Sequence, residues 1–259
     1  MNSIETIILG IIQGLTEFLP VSSSGHLVIF QNLLGFKEPE LLLDCSLHMG
    51  TLMAVCLYFR FDLKKMATEI WQRDLKKPHA SLFLWIMVGS VPTGLIGLSF
   101  KTFFEKSFGS ITIVCVMLIA TGIMLAATRF IPEKYNSRTE IGLLSALAIG
   151  TAQGLAIMPG LSRSGTTIAC GLLCGLNRDL AARFSFLLSI PAIIGALALQ
   201  INLDDLARVG VFSLVFGFVT SAIIGFLALK LLMGIVRKGY FACFAPYCWT
   251  VGMFIIFLI

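Results

Sequence analysis

Residues 13–26 read QGLTEFLPVSSSGH, and they place a carboxylate, three consecutive serines and a histidine in a chain that is otherwise strongly apolar. Of 259 residues, 57% are hydrophobic and 13% charged, with a mean hydropathy of +0.93. A soluble domain carries about a quarter charged residues. The composition therefore excludes an ordinary soluble fold and points to an all-α polytopic membrane protein. The first ten residues lack the basic n-region of a secretory signal and run straight into the polar stretch.

Working outward, a bilayer core needs about 20 apolar residues per helix. Runs at 41–59, 82–100, 110–128, 209–229 and 239–259 qualify, and a sixth falls near 184–200. Two further stretches, 4–35 and 141–176, are apolar but broken by Gly, Pro and polar residues, so neither makes a clean span. The loop RFDLKKMATEIWQRDLKKPH carries Arg60, Lys64, Lys65, Arg73, Lys76 and Lys77, and the positive-inside rule puts it in the cytoplasm. Alternation then gathers fourteen of the nineteen Lys/Arg inside, through Arg129, Lys134 and Arg138, Arg178 and Arg183, and Lys230, Arg237 and Lys238. Lys37, Lys101, Lys106 and Arg208 fall outside. The bias holds when each broken stretch enters and leaves on one side, so about six transmembrane helices plus two re-entrant helical segments are expected.

The broken stretches resemble each other. GIIQGLTEFLPVSSSG (10–25) and GTAQGLAIMPGLSRSG (150–165) align at an offset of 140 and share Gly, Gln-Gly-Leu and the S-x-S-G ending. Each is followed by three candidate spans. Three crossings invert the second copy, which predicts a single membrane domain over 1–259 built from inverted repeats at 1–130 and 141–259. Such repeats place a site where their broken helices meet. Irregular backbone at membrane depth survives only where protein or a watery cavity covers it.

The two loops differ in chemistry. The first carries Glu17, Ser22, Ser23, Ser24 and His26; the second carries Ser162, Arg163, Ser164, Gly165, Thr166 and Thr167. Arg163 stands where the first copy has Ser23. Ionisable groups inside a membrane mark functional sites by default. PGLSRSGTT suits an anion: glycines admit the backbone, helix-start N–H groups and dipole favour negative charge, and Arg163 can grip phosphate oxygens with its fork. Glu17 can bridge to a divalent cation or move protons. Ser23 and His26 are both candidate nucleophiles, and the sequence leaves the choice between them open.

QGLTEFLPVSSSGH and PGLSRSG resemble the two signature motifs of the bacterial undecaprenyl-diphosphatase family of the bacitracin-resistance type, and the likeness covers the whole chain. One departure is Gln13, where some members carry a second Glu, so this chain offers one carboxylate there where those members have two. The resemblance implies hydrolysis of undecaprenyl diphosphate to undecaprenyl phosphate and inorganic phosphate, which returns the lipid carrier to peptidoglycan synthesis. It implies a divalent cation, Mg²⁺ or Ca²⁺, with Glu17 as a ligand. It also implies a bacterial cytoplasmic membrane location, with the site open to the external face. By motif position Glu17, Ser23, His26 and Arg163 are catalytic, and Ser22, Ser24, Ser162, Ser164, Gly165, Thr166 and Thr167 bind phosphate. Membrane lipids are partners, nucleic acid is not, and a homodimer is left open.

The rival reading is a polyprenyl-phosphate flippase, which needs the same cradle but no nucleophile, base and carboxylate together. His48, in LHMGT, reads as packed or placed behind the reacting groups; His79 reads as solvated, and Asp44 as solvated or capping. Asp204 and Asp205 read as an external loop. The seven cysteines read as small buried hydrophobes rather than a disulfide or zinc framework.

Overall fold

The computed structural model describes residues 3–35, 41–200 and 210–258, so Lys37, Asp204, Asp205 and Arg208 lie outside the described residues. Its helices run in the order α1 (Ser3–Phe18), α2 (Ser23–Leu33), α3 (Leu41–Tyr58), α4 (Arg60–Trp71), α5 (Pro78–Ser99), α6 (Lys101–Phe108) and α7 (Ile111–Ala127). They continue with α8 (Leu143–Leu155), α9 (Arg163–Leu173), α10 (Arg178–Gln200), α11 (Val211–Arg237) and α12 (Ala245–Leu258). No strand occurs among the described residues.

By length and composition α5, α7, α10, α11 and α12 can each cross a bilayer, with short 3₁₀ turns completing α7 and α12. The pair α3–α4 supplies a sixth, with its apolar run in α3; at Arg60 the chain bends by 72° and the charged α4 leaves the span. The span expected from 184 starts earlier, at Arg178, because the Asn177 side chain accepts the Leu180 N–H and caps the helix ahead of its apolar part. The broken stretches are helix pairs. The 16 residues of α1 reach about 24 Å and the 11 of α2 about 17 Å. In the second stretch α8 has 13 residues and α9 has 11. None of the four has the length of a full span.

The contacts of these pairs are reciprocal. Helix α1 lies along α11, whereas α8 lies along α5. Glycines make both approaches close: Gly10 faces the Gly217 carbonyl and Gly14 faces Ile224, while Gly150 meets Gly89 and Gly154 faces Ile96. Small residues at such crossings replace a hydrophobic drive that lipid cannot supply.

The basic segments gather at one end. Arg183 of α10 donates to Asp62 of α4 at 2.7 Å, and Arg237 at the end of α11 donates to Asp179 at 2.7 Å. Backbone bonds join Arg138 to Gly175 and Asn177. His79 is not simply solvated: its ring pairs with Glu69 at 3.2 Å. None of the seven cysteines is in a disulfide; six are buried or half-buried and Cys243 is exposed.

Candidate active site

Both loops follow one plan. Ser22 caps α2 by accepting the Gly25 N–H at 3.3 Å, and Ser162 caps α9 by accepting the Gly165 N–H at 3.1 Å. In each loop the capping hydroxyl lies 3.3 Å from a second one, Ser24 in the first and Ser164 in the second. The backbone reversals differ. Ser22 itself sits at φ 68°, a left-handed conformation that favours glycine, while the second loop uses Gly160 at φ 89°. Neighbouring helices satisfy the irregular backbone. The Thr121 hydroxyl of α7 donates to the Gly160 carbonyl and accepts the Ser162 N–H, and the Cys248 thiol of α12 faces the Pro20 carbonyl at 3.5 Å. This is the cover that membrane-depth loops require.

The caps fix what comes next. Ser23 is the first residue of α2 and Arg163 the first residue of α9. Both point at Glu17, in the last turn of α1. Ser23 Oγ donates to Glu17 Oε2 at 2.6 Å, Arg163 Nη2 donates to Glu17 Oε1, and Gln13 Nε2, one turn back on α1, donates to Oε2 at 2.9 Å. Glu17 and Gln13 are buried, and Ser23 and Arg163 are partly exposed. A carboxylate at a helix C-terminus is electrostatically disfavoured. Here the positive ends of α2 and α9, with the Arg163 charge, offset that. Glu17 and Arg163 are 146 residues apart in sequence, so the two loops meet on one carboxylate.

Arg163 Nη1 is buried and has no partner. Buried donors are rarely left unpaired, and this one has a hydrogen to give to a further acceptor. Gln13 Oε1 is a second buried atom without a partner.

Not every residue expected at the site faces it. His26 is buried with both ring nitrogens engaged: Nδ1 donates to the Ser22 carbonyl at 2.8 Å, and Nε2 accepts from the Tyr247 hydroxyl at 2.8 Å, the rings stacked 5.7 Å apart. Thr166 donates to the Ser162 carbonyl at 2.7 Å, and Thr167 donates to the Arg163 carbonyl and pairs with Ser185 of α10. These two threonines brace the start of α9. Ser164 reaches the Leu19 carbonyl at 3.4 Å and ties the second loop to the first.

His48 stands behind the reacting groups, one of the two places the sequence reading gave it, whereas Tyr247 escaped that reading. His48 of α3 places Nδ1 2.9 Å from Gln13 Nε2 and 3.5 Å from Glu17 Oε2; an imidazole inside an apolar run was the signal for it. Tyr247 had none, since its partner His26 is 221 residues away. A polar cavity of about 380 Å³ lies at the basic end, lined by Lys76, His79, Arg183, Glu140 and Asp179 among others. Its mixed charges give no net attraction for an anion, and it includes none of Glu17, Ser23 and Arg163.

For a metal, no group of three or more His, Cys, Asp and Glu side chains gathers among the described residues. The set at the loops is one carboxylate, Glu17, to which Gln13 presents its amide nitrogen rather than its oxygen. That fits a hard cation that takes most of its oxygens from a phosphorylated ligand and water.

A family model described as bacitracin resistance protein BacA matches residues 6–254. The chain is 46% identical over 270 residues to an undecaprenyl-diphosphatase of Desulfatibacillum aliphaticivorans, covering 97% of both chains. It is 44% identical over 264 residues to that of Halothermothrix orenii, covering 100% of this chain and 98% of the other. It is 39% identical over 269 residues to that of Methanobrevibacter smithii, covering 98% and 97%.

Proposed function

The chain belongs to the bacitracin resistance protein BacA family, and from that premise we propose that its two facing loops are the site at which it hydrolyses undecaprenyl diphosphate to undecaprenyl phosphate and inorganic phosphate. It is a multi-pass membrane phosphatase. The observation that carries the site assignment is the meeting of Ser23 and Arg163 on the buried Glu17.

The diphosphate sits between the helix starts of α2 and α9, with the prenyl chain in lipid. Arg163 Nη1 and the helix-start N–H groups take phosphate oxygens. Ser23 Oγ attacks the terminal phosphorus and passes its proton to Glu17 Oε2, while the bond to the bridging oxygen breaks and undecaprenyl phosphate leaves. Water then attacks the phosphoserine, and inorganic phosphate departs as Ser23 regains its proton. Phosphoryl transfer asks for alignment and charge stabilisation more than for a strong base, so a carboxylate already paired with arginine is adequate. The bonds of His26 favour Ser23 as the nucleophile, because neither imidazole nitrogen carries a lone pair free to attack. His26 then holds the Ser22 carbonyl, and so the start of α2.

A divalent cation, Mg²⁺ or Ca²⁺, held by Glu17 and the substrate's own oxygens would neutralise diphosphate charge. The rival flippase needs the cradle but not a serine hydrogen-bonded to a buried carboxylate, and each relative described above bears the name of a diphosphatase. We read the halves 1–130 and 141–259 as inverted repeats, which the reciprocal packing of α1 on α11 and α8 on α5 supports. The clustered basic residues support a cytoplasmic end opposite a site open to the external face of the bacterial cytoplasmic membrane.

The test is phosphate release from a polyprenyl diphosphate by protein purified in detergent, with and without EDTA, for wild type, Glu17→Gln and Ser23→Ala. Metal-dependent release by wild type and none by the variants is expected. Trapping a phosphohistidine in Ser23→Ala would move the nucleophile to His26. No release by folded wild type would remove the assignment.

A further inference from the structure

We infer that His48, on α3, is a positioning residue for the reaction: it orients the Gln13 side chain, and through it the carboxylate of Glu17. The inference rests on the diphosphatase reading above and extends it to a residue outside both loops.

A glutamine carboxamide has two N–H hydrogens and one carbonyl oxygen. Gln13 Nε2 lies 2.9 Å from Glu17 Oε2 and 2.9 Å from His48 Nδ1. One hydrogen goes to each, because an amide nitrogen donates and does not accept, so Nδ1 turns its lone pair toward Gln13. Oε1 then points away from both, and it is the buried atom without a partner. Without His48, a 180° turn of the amide would put Oε1 against Glu17 Oε2, two oxygens with no proton between them. His48 opposes that turn together with Glu17: each accepts a hydrogen bond from the nitrogen and neither offers a proton to the oxygen, so the amide is held from two sides. Glu17 Oε2 is also the atom that accepts from Ser23 Oγ at 2.6 Å, so a turned amide would disturb the alignment of serine and carboxylate directly.

The fold holds His48 for this purpose at a tight crossing. Its backbone carbonyl accepts the Thr51 hydroxyl at 3.0 Å, and the preceding Leu47 carbonyl accepts the Ser221 hydroxyl of α11 at 2.9 Å. Two residues on, Gly50 lies against Ser221 and the Phe218 carbonyl with no room for a side chain. Helix α3 therefore cannot slide along α11 without breaking these contacts, and the ring is fixed relative to α1, which packs on the same two helices.

The experiment is steady-state phosphate release from a polyprenyl diphosphate in detergent by wild type, His48→Leu, His48→Gln, Gln13→Leu and the Gln13→Leu/His48→Leu double variant, with thermal unfolding of each. Expected is a kcat about tenfold or more lower for His48→Leu, with KM within about twofold. His48→Gln, whose side-chain oxygen can accept from Gln13 Nε2, should return to within about threefold of wild type. The double variant should be no slower than Gln13→Leu, because the two residues act as one unit. Wild-type kcat in His48→Leu overturns the inference, as does equal loss in His48→Leu and His48→Gln, or losses that multiply in the double variant. Those results, obtained with an active wild type, sink this inference alone; an inactive wild type sinks the diphosphatase reading beneath it.

Discussion

Replacing Arg163 with lysine keeps the charge and removes the fork. In the structure Nη2 holds Glu17 Oε1 while Nη1 is buried without a partner, so one side chain serves the carboxylate and still has a donor for the substrate. A lysine ammonium is a single compact point. It can pair with Glu17 or meet a phosphate oxygen, and the buried carboxylate is the nearer claimant. The loss is then one hydrogen bond to a charged group, about 1.5–3 kcal/mol, or roughly 10- to 150-fold in kcat/KM. Arg163→Ala differs in kind. It also leaves Glu17 buried beside no cation, and breaking a buried ion pair from one side costs about 3–5 kcal/mol of stability. Phosphate release in detergent, paired with thermal unfolding, separates the two effects. The lysine variant should be slow with near-native stability, and the alanine variant both slow and unstable. Arg163→Lys with wild-type kcat/KM would refute the fork argument, and equal stability loss in the two variants would refute the electrostatic one.

Further expectations bear on other parts of the molecule. Ser23→Ala should eliminate turnover while equilibrium binding of a non-hydrolysable diphosphate analogue stays within about threefold, since one neutral hydrogen bond is worth only about 1 kcal/mol; turnover by this variant would remove Ser23 as the nucleophile. Gly150→Ala puts a methyl group into the Gly89 backbone and should lower stability by about 1–3 kcal/mol, whereas Gly94→Ala and Gly195→Ala meet open space and should not destabilise; thermal unfolding of the three variants checks the close approach of α8 to α5. Burial pushes the Glu69 carboxyl up, but hydrogen bonds from the Ala80 and His79 N–H groups and the nearby His79 ring outweigh it, so its pKa lies below the ordinary value of 4.5. A depressed carboxylate stabilises the fold above that ordinary value, and the contribution fades as pH falls through the folded-state pKa. Glu69→Gln should therefore flatten the acid limb of a stability-against-pH curve and leave its slope above neutral pH unchanged.

The spans and both broken stretches were legible because lipid imposes length and apolarity on a helix, and Pro20, Pro159 and the glycines break that pattern visibly. The loop chemistry was legible for the same reason: Glu17 and Arg163 stand out where charge is costly. What did not show was direction. Thr166 and Thr167 look like further anion donors in a string of hydroxyls, yet helix geometry turns both back on their own backbone, as Ser and Thr commonly turn within helices. His26 looks as available as Ser23, three residues earlier, but that spacing carries it one turn along α2 and toward Tyr247 of α12. The place of Tyr247, and which residue His48 touches, rest on packing between helices remote in sequence, which periodicity does not encode. The start of α10 was placed late because Arg178, Asp179 and Arg183 depress the hydropathy of a helix that Asn177 had already begun.

The repeated loop explains why one site arises from two copies. In both, a serine caps a short helix and the next residue is delivered to the same kind of place, its side chain at the helix start. Identical residues there would give two hydroxyls or two cations, and neither pair could both attack phosphorus and hold the charge that develops. With Ser23 in one copy and Arg163 in the other, a shared geometry yields complementary groups that converge on Glu17. The rest of the second copy follows suit. Gln153, the counterpart of Gln13, donates to the Thr93 hydroxyl and the Leu188 carbonyl, and the position matching Glu17 is Ile157. With no carboxylate at its own end, that half braces α8 against α5 and α10, while in the first half Gln13 turns to Glu17 and His48. The balance is also electrostatic: Glu17 lies at the wrong end of α1 for a negative charge, and it is stable there because the starts of α2 and α9 and the Arg163 guanidinium face it. Those are the same groups that would hold a diphosphate, so the fold that stabilises the buried carboxylate is already arranged for the anion.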